Sequence, residues 1–244
     1  MPPIPSTILT RSHPRAPKGI VYGPPGSGKT TFGASADRPL LLDCENGAAH
    51  VDCHRTPYLA TWPQIAAWLE GLAAGGHDYQ TVVVDSIDWL LRRLEEHVAG
   101  VDDTPNGRER TLNRSHGGYG AGRQVLKNYA YQFLLPAMDR LVNAGVAVLL
   151  LAHATRRTLT TVDGLELEKS VPELHPDLAG AIVEWSDFVG AIRLVGQDRE
   201  LVLYETPQLV AKNRYGIFRP IPLEWSSLIV AMSTNFDQPE RKEN

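Results

Sequence analysis

The chain has 244 residues, 43% of them hydrophobic, which is enough for the core of one α/β domain with at most a small appendage. A formal charge of −4 excludes a constitutively basic nucleic-acid coat, though not local basic loops. Two cysteines, Cys44 and Cys53, are too few for a disulfide framework and fit a reducing cytoplasm; with His50 and His54 they lack the paired spacing of a zinc site.

Residues 1–17 are rich in proline, which blocks helix, and carry no apolar signal segment. They are expected to form an extended arm, either loose or packed on a neighbouring subunit. Gly19-Ile20-Val21-Tyr22 reads as a short buried strand, and Thr31 to Ala36 as a helix. Between them Gly23-Pro24-Pro25-Gly26-Ser27-Gly28-Lys29-Thr30 fits G-x-x-x-x-G-K-[ST] at every fixed position. Gly26 and Gly28 allow successive N–H groups to turn inward around phosphate oxygens. Lys29 is placed to reach the β- and γ-phosphates, Thr30 to ligate Mg²⁺, and Thr31 completes the nucleotide-binding set. ATP and Mg²⁺ are therefore the expected ligands.

Pro39-Leu40-Leu41-Leu42-Asp43 is a second strand, followed by Cys44-Glu45-Asn46-Gly47. In parallel α/β sheets chemistry collects beyond the carboxyl ends of strands. Glu45 stands there, as a base for the attacking water or as a solvated loop acid. Thr61 to Ala74 has the spacing of a core-facing helix capped by Thr61. Thr81-Val82-Val83-Val84-Asp85-Ser86 reads as a buried central strand ending in an acid, and at this distance from the phosphate loop Asp85 is the Walker B metal-side carboxylate. An amphipathic helix follows over 87–98.

Residues 100–122 are glycine-rich and hold Arg108, Arg110 and Arg114, with Arg123 just beyond. They read as a mobile loop. With Tyr119 and His116 the arginines suit single-stranded nucleic acid, the bland alternative being a solvated surface loop. A helical pattern over 124–144 contains Pro136, a kink or break. Val146 to Ala152 is a third buried strand with His153 at its tip, placed to bond the γ-phosphate and act as a sensor, or to serve structure alone. Arg156 and Arg157 open the polar stretch that follows, a candidate DNA-contacting loop running to about Pro176. Residues 188–194 and 200–204 alternate as an antiparallel hairpin. Lys212 and Arg214 then share a strand face, as cations for a neighbour's transferring phosphoryl group or as solvated charges. The charged end, 234–244, reads as a flexible tail, leaving 18–233 as the ATPase domain.

The set GPPGSGKTT, LLLDCENG, VVVDS, LLLAH and VAKNRYG, in this order, resembles the RecA-like ATPase core over about residues 18–218, and in detail the short phage and prophage RecA-core proteins of single-strand annealing recombination. The resemblance implies a P-loop NTPase fold with a mainly parallel central sheet flanked by helices and an antiparallel C-terminal hairpin. It matches Glu45 to the catalytic glutamate, Asp85 to the Walker B acid, and His153 to the polar switch residue, where RecA usually has glutamine. Lys212 and Arg214 match cations reaching a neighbour's nucleotide, and residues 100–122 and 154–175 match the two DNA-binding loops. The implied protein is a cytoplasmic ATPase that binds single-stranded DNA as a homo-oligomer, ring or filament, with a single-stranded DNA-binding protein as a further partner and no membrane association. A helicase-like motor and a nucleotide-dependent scaffold or loader for a protein partner are the competing readings.

Overall fold

The computed structural model describes residues 15–101, 111–160 and 163–236. Most of the expected N-terminal arm, Arg108 and Arg110, and the last residues of the expected tail lie outside that set. Four apolar runs become adjacent parallel strands: β1 (Lys18–Gly23), β2 (Pro39–Asp43), β3 (Thr81–Asp85) and the first half of β4 (Ala147–Thr160). With β5 (Glu166–Pro172), β6 (Phe188–Val195), β7 (Asp198–Val202), β8 (Lys212–Asn213) and β9 (Ile221–Pro222) they form a sheet of order β2-β3-β4-β1-β6-β7-β9. Pairing is parallel from β2 through β6 and antiparallel from β6 through β9.

The central strands are apolar throughout because alternate side chains enter two different cores. Tyr22, Leu42, Val84 and Leu150 face α2 (Trp62–Ala73), α3 (Ile87–Val101), α4 (Ala121–Tyr129) and α5 (Leu135–Asn143). Val21, Leu41, Val83 and Leu151 face α1 (Lys29–Ala34) and α7 (Trp225–Phe236). A Cβ on Gly33 would come within 2.7 Å of the Val83 side chain, so this glycine lets α1 lie close on the sheet. Trp225 packs its ring against Phe32 and donates its indole N–H to Asp37, which ties α7 to the end of α1. No helix among the described residues is long and apolar enough to cross a membrane.

One expectation is revised and two gain structural detail. The polar stretch after Ala152 is not a loop. The strand continues to Thr160 and pairs antiparallel with β5, from Ala154 opposite Pro172 to Thr160 opposite Glu166. Threonines suited to strands and the diagonal Arg156–Glu168 ion pair, 3.0 Å, support the outer part of this hairpin, and buried Val171 packs its base. Within the expected loop, residues 111–120 form compact turns anchored by buried Leu112 and Ser115, and a Cβ on Gly122 would strike both. Pro136 falls where the α-helical pattern is interrupted: the stretch Ala130–Leu134 before it is π-helical, and α5 starts at Leu135. That wider turn accommodates a ring that has no N–H to donate and would otherwise crowd a preceding carbonyl.

Candidate nucleotide site

The carboxyl ends of β1, β2 and β3 and of the parallel half of β4 meet at a cavity of about 570 Å³. Among its lining residues are Pro25, Gly26, Gly28, Lys29, Thr30, Thr31, Glu45, Asp85 and His153. The chain leaves β1 at Gly23 and turns through Pro24, whose carbonyl accepts a hydrogen bond from the Ser27 amide at 3.2 Å. Gly26 and Gly28 have φ of 73° and 95°, the left-handed region that favours glycine. A Cβ at position 26 would meet nothing within 4 Å, so open space lies against the loop backbone. Ser27 is buried and its hydroxyl has no hydrogen-bond partner among the described residues.

Lys29 is buried and donates from Nζ to the carbonyls of Gly23 and Pro24, at 3.0 and 3.1 Å. An ammonium has a third donor, which these two contacts leave for the cavity. Burial holds its pKa below the ordinary lysine value, opposed by Glu45, Asp85 and Asp88. Thr30 donates its hydroxyl to Asp85 Oδ2 at 2.8 Å. The Asp85 carboxyl is pushed up to about 6, first by burial and then by the nearby Glu45 and Asp43 charges, with the Thr30 bond and Lys29 opposing.

The Thr30 hydroxyl and Asp85 carboxylate are hard oxygen donors side by side, and the buried carboxylate gains from a cation. Among the described residues no cluster of three His, Cys, Asp or Glu is arranged to hold a metal alone. The Thr30–Asp85 oxygen pair fits Mg²⁺, which takes one or two protein oxygens and completes its shell with phosphate and water. Bound there, the ion would supply positive charge to a phosphate group.

Glu45 is presented by a fixed turn. Asp43 Oδ1 accepts the Asn46 amide at 2.6 Å, and Asn46 takes φ 65°. Glu45 Oε1 stands 3.5 Å from His153 Nε2. On the other side of the ring Asp88, in the first turn of α3, receives both the His153 amide at 3.2 Å and Nδ1 at 2.9 Å. This bond to Asp88 is the main reason the His153 pKa is raised, with Glu45 adding to it. His153 thus links the Glu45 carboxylate to α3 at the point where β4 leaves the sheet for its hairpin.

The sign of the pH effect follows. A raised folded pKa contributes stability that is fully present below the unfolded value, near 6.5, and is lost as pH rises through the folded value. The stability advantage of the native protein over Asp88→Asn, read from urea midpoints, should be larger near pH 6 than near pH 9. An advantage that does not vary with pH would contradict the assignment.

The other expected site residues fall elsewhere. Lys212 donates to the carbonyls of Val183, Glu184 and Ser186 at 2.8, 3.1 and 2.8 Å. It thereby closes the C-terminal end of α6 (Ala179–Trp185). Arg214 and Arg15 both bond Asp187 Oδ1, at 3.1 and 2.6 Å. Neither Lys212 nor Arg214 lines the cavity, and the strand expected to carry both ends at Asn213. Arg114 is exposed. Arg123 bonds Asn113 and Asp177, Arg156 pairs with Glu168, and Arg157 donates to the Leu174 carbonyl.

Asp43, Asp88, Arg199 and Leu223 are among the site residues not anticipated. Asp43 and Asp88 orient Glu45 and His153, and the only local signals were an Asp-x-x-Asn turn and an acid in a first helical turn. Arg199 and Leu223 line the cavity from the antiparallel end of the sheet and had no sequence signal.

Comparison with known protein families gives a match to the model of an AAA domain over residues 15–215. A search of curated protein sequences returns no match. The match spans β1 through β8 with the phosphate loop, Glu45, Asp85 and His153 inside it, so the chain belongs to the AAA-domain family of P-loop ATPases, a nucleotide-binding fold.

Proposed function

We propose that this chain is a RecA-like ATPase that binds ATP with Mg²⁺, hydrolyses it, and couples the nucleotide state to single-stranded DNA in strand annealing or homologous recombination. Lys29 neutralises phosphate charge, Thr30 and Asp85 hold the ion, and Glu45 takes the proton of the attacking water. The observation that carries the coupling is the position of His153. Its imidazole lines the nucleotide cavity, and the same strand runs on into the hairpin bearing Arg156 and Arg157.

A nucleic-acid face is supported by the meeting of two basic segments. Arg157 contacts Leu174, while Arg123 contacts Asp177 from the start of α4. Tyr119, wholly exposed among glycines, offers a ring on which a base can stack. The exposed pairs Arg156–Glu168 and Arg123–Asp177 hold these arginines weakly, so phosphates can displace the carboxylates. The chain works as a homo-oligomer in this reading. The interface cations expected at Lys212 and Arg214 would have to give up the bonds they make within their own protomer.

The test is anisotropy of a labelled oligothymidylate with ATP, ADP and no nucleotide. Affinity should differ about fivefold or more between nucleotide states. It should fall with salt, and the double variant Arg156→Ala, Arg157→Ala should lose about tenfold in affinity and flatten the salt slope by roughly one unit per lost phosphate contact. Binding absent in every state, or indifferent to salt, would overturn the proposal.

A further inference from the structure

The cavity has two sides, set by strand order. Glu45 follows β2, Asp85 ends β3 and His153 lies midway along β4 where its parallel half ends, all on one side of β1. Arg199 on β7, with Leu223 and Glu224 just after β9, comes from the other side. Arg199 lies across the phosphate loop: a Cβ on Gly28 would stand 3.3 Å from its Cδ and 3.5 Å from its Nε, with Leu223 Cδ2 at 3.6 Å. The Arg199 carbonyl accepts the Leu223 amide at 3.0 Å, which fixes the two residues together. The neighbouring acid, Glu200, is occupied by Arg193 at 2.6 and 3.1 Å. Among the described residues the Arg199 guanidinium has no hydrogen bond or ion pair, although it is held over a loop shaped for phosphate.

We infer that Arg199 is a nucleotide-binding residue supplied in cis, contacting the phosphates nearest the nucleoside, while Leu223 walls the nucleoside end. This rests on the nucleotide-binding reading above. A triphosphate whose γ-phosphate lies among Lys29, Glu45 and His153 runs back along Gly28 and Thr31 toward β7 and β9. A planar guanidinium with five donors suits paired phosphate oxygens at that point. The antiparallel end of the sheet is then part of the site, because it brings a cation onto the loop that the parallel strands alone do not provide.

The contact is to phosphates that ADP and ATP share, and this sets the test. Fluorescence titrations with N-methylanthraniloyl-ADP and the corresponding ATP analogue would compare wild type, Arg199→Ala and Arg199→Lys. Arg199→Ala should weaken both nucleotides by a similar factor, about tenfold, and Arg199→Lys should recover part of the loss. Arg199 is exposed, so neither variant disturbs the core. ADP affinity within about twofold of wild type in Arg199→Ala, or a loss confined to ATP, would overturn the inference. Failure of the wild type to bind either nucleotide would instead remove the reading on which the inference stands.

Discussion

Alanine in place of Lys29 is expected to lower ATP turnover by about a hundredfold or more, the scale seen when one hydrogen-bond donor to a transition-state oxyanion is removed. The expectation rests on the field around this side chain. Lys29 is buried in the wall of the cavity, and the charges of Glu45, Asp85 and Asp88 all act on it. Alanine would leave those carboxylates uncompensated exactly where a polyanion must approach, so nucleotide affinity should fall together with the chemical step. Alanine also removes the two bonds from Nζ to the Gly23 and Pro24 carbonyls, while the Ser27-to-Pro24 bond and the two left-handed glycines remain to hold the loop. Steady-state phosphate release and a thermal melt on the same preparation check both points. Wild-type turnover in Lys29→Ala would refute the site.

Glutamine in place of Glu45 is expected to lower turnover by about 10² to 10⁴, the usual contribution of a positioned general base. ATP binding should persist, because Glu45 contributes no donor to phosphate. The change is nearly isosteric, and the Asp43–Asn46 bond that presents the residue stays intact. A second readout separates this role from that of a solvated loop acid. Glu45 helps to raise the His153 pKa, so the His153 ring in Glu45→Gln should titrate lower than in the native protein, observable by NMR. Turnover within about threefold of wild type, with an unmoved histidine titration, would return Glu45 to the status of an ordinary surface acid.

The parallel half of the fold is legible because its strands are buried on both faces. Leu40-Leu41-Leu42 and Val82-Val83-Val84 have no polar position to spare, and such runs admit few other structures. The phosphate loop is legible for a different reason: its glycines meet a backbone requirement that few other residues satisfy, so the chemistry is written in adjacent positions. The β4–β5 hairpin was missed because it leaves the core after Ala154. Thr155 to Thr160 is largely exposed, so no apolar alternation marks the strand. Arg199 was missed because nothing local distinguishes it from any arginine beside a hairpin turn. Its place over Gly28 arises only when β6 pairs with β1 and β7 folds back beside β6. Lys212 and Arg214 show the converse. Their period-two spacing suggested a shared charged face, whereas α6 ends beside them and its free carbonyls, with buried Asp187, take up their donors.

The claim on which the rest depends is that a triphosphate occupies the cavity at the ends of β1 to β3 and of the parallel half of β4, with Lys29 among its contacts. Calorimetric titration of the purified protein with ATP and Mg²⁺ tests this directly. The account predicts saturable binding of about one nucleotide per chain, weakened at least tenfold by Lys29→Ala. Absence of saturable heat in the wild type, or the same isotherm in Lys29→Ala, would contradict it.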